Sequence, residues 1–282
     1  MKCAAVNMSA SRMQDACIIA VAGLALWLSN GESVRAESLR AGGTGAALET
    51  LRRLGTAFAT FEPDTRIEVV DGLGSSGGIA AVAAGAIDFS VSGRPLGPAD
   101  DASLKASLIA RTPFGLVSAN SNPGDIKSDD VAVLFGSTTS VWPDGKPVRP
   151  ILRPRTDIDS HLLVSTFRNM ASALEKLRQR AEVPVGPTDQ DNARLAEGIA
   201  GSLTAMTLAQ SHTENLRLRF LSIDGIAPTL ENFESGRYPY GKDFYLVVSS
   251  RSMPALDRFM AFVRSAEGIA VLRNNGSLPV RR

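Results

Sequence analysis

Apolar positions along the chain change period several times, and each change marks an element. Thr65-Arg66-Ile67-Glu68-Val69-Val70 alternates as a half-buried strand does. It breaks into Gly72-Leu73-Gly74-Ser75-Ser76-Gly77-Gly78, and Ile79 to Ile87 then reads as a short alanine-rich helix. The same device opens the segment before it. Ser38 to Ala41 reads as a strand, Gly42-Gly43-Thr44-Gly45 interrupts it, and a helix follows from Ala46 with Leu48, Leu51, Leu54, Phe58 and Phe61 on one stripe. Asp88 to Ser92 is the next strand, ending in Ser92-Gly93-Arg94. A helix near Pro98–Ser107 and a strand over Leu108–Ser118 follow.

A strand that breaks into glycines and then starts a helix leaves backbone N–H groups unpaired at the helix N-terminus. With the positive end of the helix dipole they suit an oxyanion. Ser75, Ser76 and Gly77 would supply donors at the second turn, and Thr44, Gly45, Ala46 and Ala47 at the first. In an open α/β sheet both turns would lie at the carboxyl ends of adjacent parallel strands, where ligands bind. Ser92 and Arg94 would fall on the same rim. A plain N-capped turn is the simpler reading of either motif. Gly72, Gly74 and Gly77 also fit the dinucleotide fingerprint G-x-G-x-x-G, but that fingerprint wants an acidic residue about 20 positions on. Ser92-Gly93-Arg94 stands there instead.

Residues 1–36 read as a secretory signal peptide. Lys2 and Arg12 are basic, Ala16 to Leu28 is an apolar run too short for the roughly 20 residues that span a bilayer, and Val34-Arg35-Ala36 has a small-x-small form. An uncleaved anchor is the alternative. Both cysteines, Cys3 and Cys17, lie in this segment, so cleavage after Ala36 leaves neither a disulfide framework nor thiolate chemistry. It also leaves 27 basic and 27 acidic residues. A neutral chain argues against nucleic acid or an anionic membrane as partner.

The order of strand, GGTG helix, strand, GLGSSGG helix, then Asp88 to Ser92 followed by Pro95-Leu96, resembles the periplasmic phosphate-binding proteins of ABC importers, of the type II periplasmic binding protein class. The similarity is strongest over residues 39–96. It implies a two-lobed α/β fold with mixed sheets flanked by helices and a ligand cleft between the lobes. Lobe 1 would be 37–117 with 241–282, and lobe 2 would be 118–240. It also implies an oxyanion held dehydrated between helix N-termini, with an arginine and a serine-rich helix start coming from the second lobe. Arg153, at the end of a strand over Val148–Arg153, and Ser160 are the nearest matches. Asp157 and Asp159 stand where neutral donors are expected, although aspartate is also an ordinary N-cap. In the resembled family an aspartate after the third strand accepts a hydrogen bond from the protonated ligand. Gly93 occupies that position here, which leaves Asp157 or Asp159 to supply the acceptor.

Downstream, helices are expected over Asp129–Phe135, His161–Met170, Ala171–Ala181 and Asn192–Ile199, with Thr188 bordering the cleft. Strands are expected over Leu203–Leu208, Leu216–Ile223 and Phe244–Ser249. Helices over Ala255–Arg264 and Glu267–Arg273 close the chain. The two histidines, His161 and His212, lack metal-ligand spacing, and no G-x-S-x-G nucleophile elbow is present. The expectation is therefore a monomeric periplasmic binding protein without enzyme activity, metal or cofactor. It would deliver an inorganic oxyanion, phosphate first, to an inner-membrane ABC permease. Sulfate, molybdate or tungstate are the alternative ligands, and a secreted α/β enzyme acting on a phosphorylated small molecule is the alternative class.

Overall fold

Strand β1 (Glu37–Gly43) lies at the heart of the first half of the molecule, parallel to β2 (Thr65–Val70) on one side and to β3 (Phe89–Ser92) on the other. The computed structural model describes residues 37–280 except 252, so the expected signal segment and both cysteines lie outside the described residues. The helix α1 (Gly45–Phe58) connects β1 to β2, and α2 (Gly74–Ala83) connects β2 to β3. Both glycine-containing turns therefore sit at the carboxyl ends of neighbouring parallel strands, as the repeated strand–glycine–helix pattern requires.

The sheet continues in the order β2-β1-β3-β10-β4-β7-β6, with β10 (Gly241–Val248), β4 (Lys105–Ser118), β7 (Ser202–Thr207) and β6 (Arg149–Pro150). β4 is the member shared by both halves. Its Lys105–Pro113 stretch pairs antiparallel with β10, and Phe114–Val117 pairs antiparallel with β7. The chain returns beside it, with the Phe114 N–H donating to Tyr240 O at 3.1 Å. Two adjacent antiparallel segments thus carry the chain out of the first lobe and back into it.

Each lobe has its own core. The first gathers Leu39, Leu51, Leu54, Phe58 and Phe89 with Phe244, Leu246, Phe259 and Phe262, the last two from α9 (Pro254–Val263). The helix α10 (Ala266–Asn274) adds Leu272. The second packs Phe114, Leu116, Leu203 and Tyr238 against Phe135 of α3 (Val131–Gly136), Leu163 of α4 (Ile158–Thr166) and Leu174 of α5 (Met170–Arg178). Tyr238 is fully buried and its hydroxyl donates to Phe114 O at 3.0 Å, so a large aromatic is fixed beside the crossover. Two further helices, α6 (Asp189–Gly198) and α7 (Leu208–Thr213), flank β7.

Several elements differ from the sequence expectation. No helix spans 98–107. Asp100 accepts from Gly97 N–H and from both Arg94 Nη atoms, which fixes a turn, and β4 begins already at Lys105. The helix α2 starts at Gly74 and not at Ile79, so Ser75, Ser76 and Gly77 are its first turn. Positive φ at Gly72 (79°) and Gly74 (65°) makes the sharp entry possible. The apolar stripe of α1 stops at Phe58, leaving Phe61 in the following turn, 56% exposed and resting on Phe262. Only Arg149 and Pro150 of the 148–153 run join the sheet. The 216–223 run splits into β8 (Arg219–Phe220) and β9 (Ser222–Ile223), which pair with different strands.

Candidate functional site

A cleft of about 190 Å³ opens where the carboxyl ends of β1 and β2 face the second lobe. Its first-lobe face is built from backbone and hydroxyls. Thr44, the N-cap of α1, is buried but makes no side-chain capping bond. The first turn of α2 contributes Ser75, Ser76 and Gly77. Ser75 Oγ accepts from Gly93 N–H at 2.9 Å, which holds this turn against the end of β3.

The opposite face is charged. Arg153 follows β6, and its side chain is 3% exposed. Asp157, the N-cap of α4, takes both Nε (3.2 Å) and Nη2 (2.6 Å) of Arg153 and also accepts from Asp159 N–H at 2.9 Å. Arg153 Nη1 donates to Gly186 O at 2.6 Å and Nη2 to Asp189 Oδ1 at 3.3 Å. Of the five N–H bonds of a guanidinium, these contacts leave one on Nη1 for a ligand. Asp189 lies in the first turn of α6, after the N-cap Thr188, whose hydroxyl oxygen accepts from Asp191 N–H.

The two faces touch. Asp189 Oδ2 accepts from Ala46 N–H at 3.1 Å, and Gln190 Nε2 donates to Gly45 O at 3.1 Å. Glycine at 45 is what permits this, because a Cβ there would lie 2.6 Å from Asp189 Oδ2 and 2.7 Å from Asp189 Cβ. Lys242 of β10 also lines the cleft, and its Nζ donates to Asp159 Oδ1 at 2.5 Å.

Burial works against the charge on Arg153, but Asp189, Asp157 and Asp159 outweigh it and hold its pKa above the ordinary value. Lys242 is raised for the same reason, burial opposing and the carboxylates prevailing. The Asp159 carboxyl is pushed up to about 6, chiefly by burial, with Lys242 pulling it down and Asp189 and Asp157 pushing it further up. At neutral pH both members of the Lys242–Asp159 pair are therefore ionised. Three carboxylates then surround two cations. Among the described residues, no group of three or more His, Cys, Asp or Glu is placed to hold a metal.

A profile described as a PBP superfamily domain matches residues 29–267. The chain belongs to the PBP superfamily. Its fold is the two-lobed α/β arrangement of type II binding proteins. Within the superfamily it is similar to the phosphate-binding protein PstS of Bacillus subtilis (strain 168), at 23% identity over 260 residues, 89% of this chain and 84% of the relative. A Clostridium perfringens chain assigned as a phosphate ABC transporter substrate-binding protein, solved with bound phosphate, superposes with a TM-score of 0.74. It shares 19% identity, and the match covers 87% of this chain and all of that one. An ABC-type phosphate transport receptor from Vibrio cholerae superposes with a TM-score of 0.58 at 13% identity, over 86% of this chain and 99% of that one.

Of the residues singled out from sequence, Thr44, Gly45, Ser75, Ser76, Gly77, Arg153 and Asp157 line the cleft together. The others are placed elsewhere. Ala46 reaches the opposite face only through its N–H, and Ala47 is packed into the first core. Ser92 is fully buried, its Oγ accepting from Arg94 N–H and donating to Arg94 O. Arg94 turns to Asp100. Asp159 lies behind the lining on Lys242, and Ser160 Oγ donates to Pro154 O at 2.9 Å. Sequence reasoning missed Asp189, Gln190 and Lys242. Thr188-Asp189-Gln190-Asp191 reads as a helix cap, and Lys242 sits in a strand with no motif around it.

Proposed function

We propose that the cleft captures a tetrahedral oxyanion, phosphate in first place, and presents it to an ABC permease. The observation that carries this reading is a buried arginine, Arg153, sharing one cleft with the first turn of α2 and its two serines. N–H groups at a helix N-terminus, hydroxyl donors and a guanidinium N–H are the donors an oxyanion uses when it sheds water. The PstS relative, named for phosphate, and the Clostridium perfringens structure with bound phosphate support the choice of ligand.

Capture on this reading is a closure of two lobes, 37–117 with 241–282 and 118–240, about the paired crossovers of β4 and β10. Asp157 and Asp189 orient Arg153, and Thr188 and Gln190 border the entering ligand. The protein works as an exported monomer outside the cytoplasm, with residues 1–36 as its signal, and it binds without transforming its ligand. In the described residues no helix is long and apolar enough to cross a membrane.

Titration calorimetry of the exported protein with phosphate, sulfate, molybdate and tungstate tests the proposal. Saturable one-site binding, tightest for phosphate, is expected. Sulfate binding as tightly as phosphate would overturn the ligand choice. Turnover of a phosphorylated small molecule would overturn the class.

A further inference from the structure

Lys242 occupies a place that capture by Arg153 and helix N-termini leaves unexplained. It follows Gly241 on β10 and pairs with Thr112 of β4, where the two crossover segments run side by side. Its side chain is 2% exposed and still lines the cleft. The end of β3 makes room for it, since a Cβ on Gly93 would lie 2.7 Å from Lys242 Cε. A chain that needed only a tight contact here could fill the space with apolar side chains, because a buried ion pair is often no more stabilising than a hydrophobic replacement of similar volume.

We infer that Lys242 is the second cation of the oxyanion site, its ammonium shared between Asp159 and one oxygen of the bound ligand. The inference rests on the reading that the cleft takes an oxyanion. An ammonium carries three N–H donors and no acceptor. One donor is directed at Asp159 Oδ1, and the position of Lys242 on the cleft lining leaves the others for a ligand oxygen that bears no proton. Charge balance points the same way. Without Lys242, the three carboxylates Asp157, Asp159 and Asp189 would face Arg153 alone, and an incoming anion would meet two uncompensated negative charges instead of one. Because Asp159 belongs to α4 and Lys242 to the crossover strand, the same ammonium also ties ligand binding to the approach of the lobes.

Titration calorimetry with inorganic phosphate as probe, on the parent and three variants, tests this. Lys242→Met should weaken binding at least tenfold, and Lys242→Arg should recover most of that loss. A weakened Lys242→Met alone would also result if the lysine merely neutralised Asp159. The double variant Lys242→Met/Asp159→Leu separates the two, since it removes both charges and leaves an apolar pair. It is expected to stay at least tenfold weaker than the parent while remaining folded. Recovery of parent affinity in the double variant would show that Lys242 only balances Asp159, and would overturn the inference. If the double variant does not fold, the amine resonances of lysine in the parent protein decide. A shift of the Lys242 signal on adding phosphate supports the contact, and an unmoved signal overturns it. A parent that binds neither phosphate nor sulfate overturns the oxyanion reading itself, and this inference falls with it.

Discussion

The two faces of the cleft recognise an anion by different physics. Apart from Lys242 on the crossover strand, the first-lobe face has no charged side chain on its lining and relies on the backbone, with Thr44 and Gly45 at α1 and Ser75, Ser76 and Gly77 at α2. The second-lobe face is a charged lattice in which Arg153 is held by Asp157, Asp189 and the Gly186 carbonyl. Backbone dipoles are fixed once the strand–turn–helix unit folds, so the first face is preorganised at little further cost. The second face must hold desolvated charges in register, and each is stable only while its partners are in place. The first face should therefore tolerate truncation of single side chains, and the second should not.

Arg153→Leu is the sharpest test of that asymmetry. It removes the one guanidinium on the lining and strands Asp157 and Asp189. Phosphate affinity should fall at least about tenfold, since hydrogen bonds to charged groups contribute about 1.5–3 kcal/mol. Breaking a buried pair on one side should also lower the unfolding free energy by about 3–5 kcal/mol. Calorimetry and urea denaturation measure the two effects. A variant with parent stability would show that the carboxylates do not depend on Arg153.

Gly45→Ala tests the contact between the faces without touching a charge. The added methyl would push against Asp189 and Gln190, so the α6 N-terminus would have to retreat from α1. Overpacking of this kind costs about 1–3 kcal/mol. The expected result is a several-fold loss of phosphate affinity and a more open form in solution scattering, with the first-lobe core unaffected. Unchanged scattering and affinity would mean that the faces need not touch to bind.

The same asymmetry explains what could be read in the sequence. The first face is written locally: β1-GGTG-α1 and β2-GLGSSGG-α2 are short-range patterns, and their glycines and serines fall where the chain order puts them. The position of Arg153 was legible from the expected strand end before it and from the family resemblance. Asp189 and Lys242 were not, because their importance arises from long-range contacts, to Ala46 and to Asp159, between residues 143 and 83 positions apart. The missed helix at 98–107 has a different, local cause. Pro98 and Asp100 suit a helix start, but Asp100 is committed to Arg94 and to Gly97 N–H, and those turn contacts win over helix propensity.

Asp159 gives a smaller effect, with a sign opposite to that of an ordinary surface aspartate. Its folded carboxyl titrates at about 6, chiefly because of burial, against about 3.9 for an unfolded aspartate. Between those values the folded state holds the extra proton, so this residue's contribution to stability falls as pH rises from about 4 to about 6 and is flat above. Asp100 acts in a different window. Its carboxyl is lowered to about 2, first by its hydrogen bond from Arg94, so its contribution is lost only as pH falls below about 4. Comparing urea unfolding of the parent and Asp159→Asn from pH 4 to 7 should show an extra downward slope in the parent, on the order of 2 kcal/mol across the window. Parallel curves would show that Asp159 is ionised throughout.

The smallest effect is expected at Arg94, and it is informative because Arg94 resembles Arg153 in sequence. Both follow a strand end near a glycine or proline turn, and both were candidates for the ligand. The structure gives them opposite surroundings. Arg94 forms a two-point ion pair with Asp100, Nη1 to Oδ2 at 2.6 Å and Nη2 to Oδ1 at 2.9 Å, and Nη1 also donates to Pro95 O at 3.0 Å. Its remaining reach toward the cleft is a pair of long contacts to Ser76 Oγ, at 3.3 and 3.4 Å. The pKa of Arg94 is raised first by the hydrogen bond to Asp100, so the charge is spent within its own turn. Arg94 thus holds the 94–100 turn and steadies Ser76 from outside the lining. Partly exposed ion pairs contribute about 0–1 kcal/mol. Arg94→Ala should therefore cost no more than about 1 kcal/mol in stability and change phosphate affinity by less than about threefold. A loss as large as that of Arg153→Leu would mean that Ser76 is oriented by Arg94 alone, and that the first face is less preorganised than its backbone suggests.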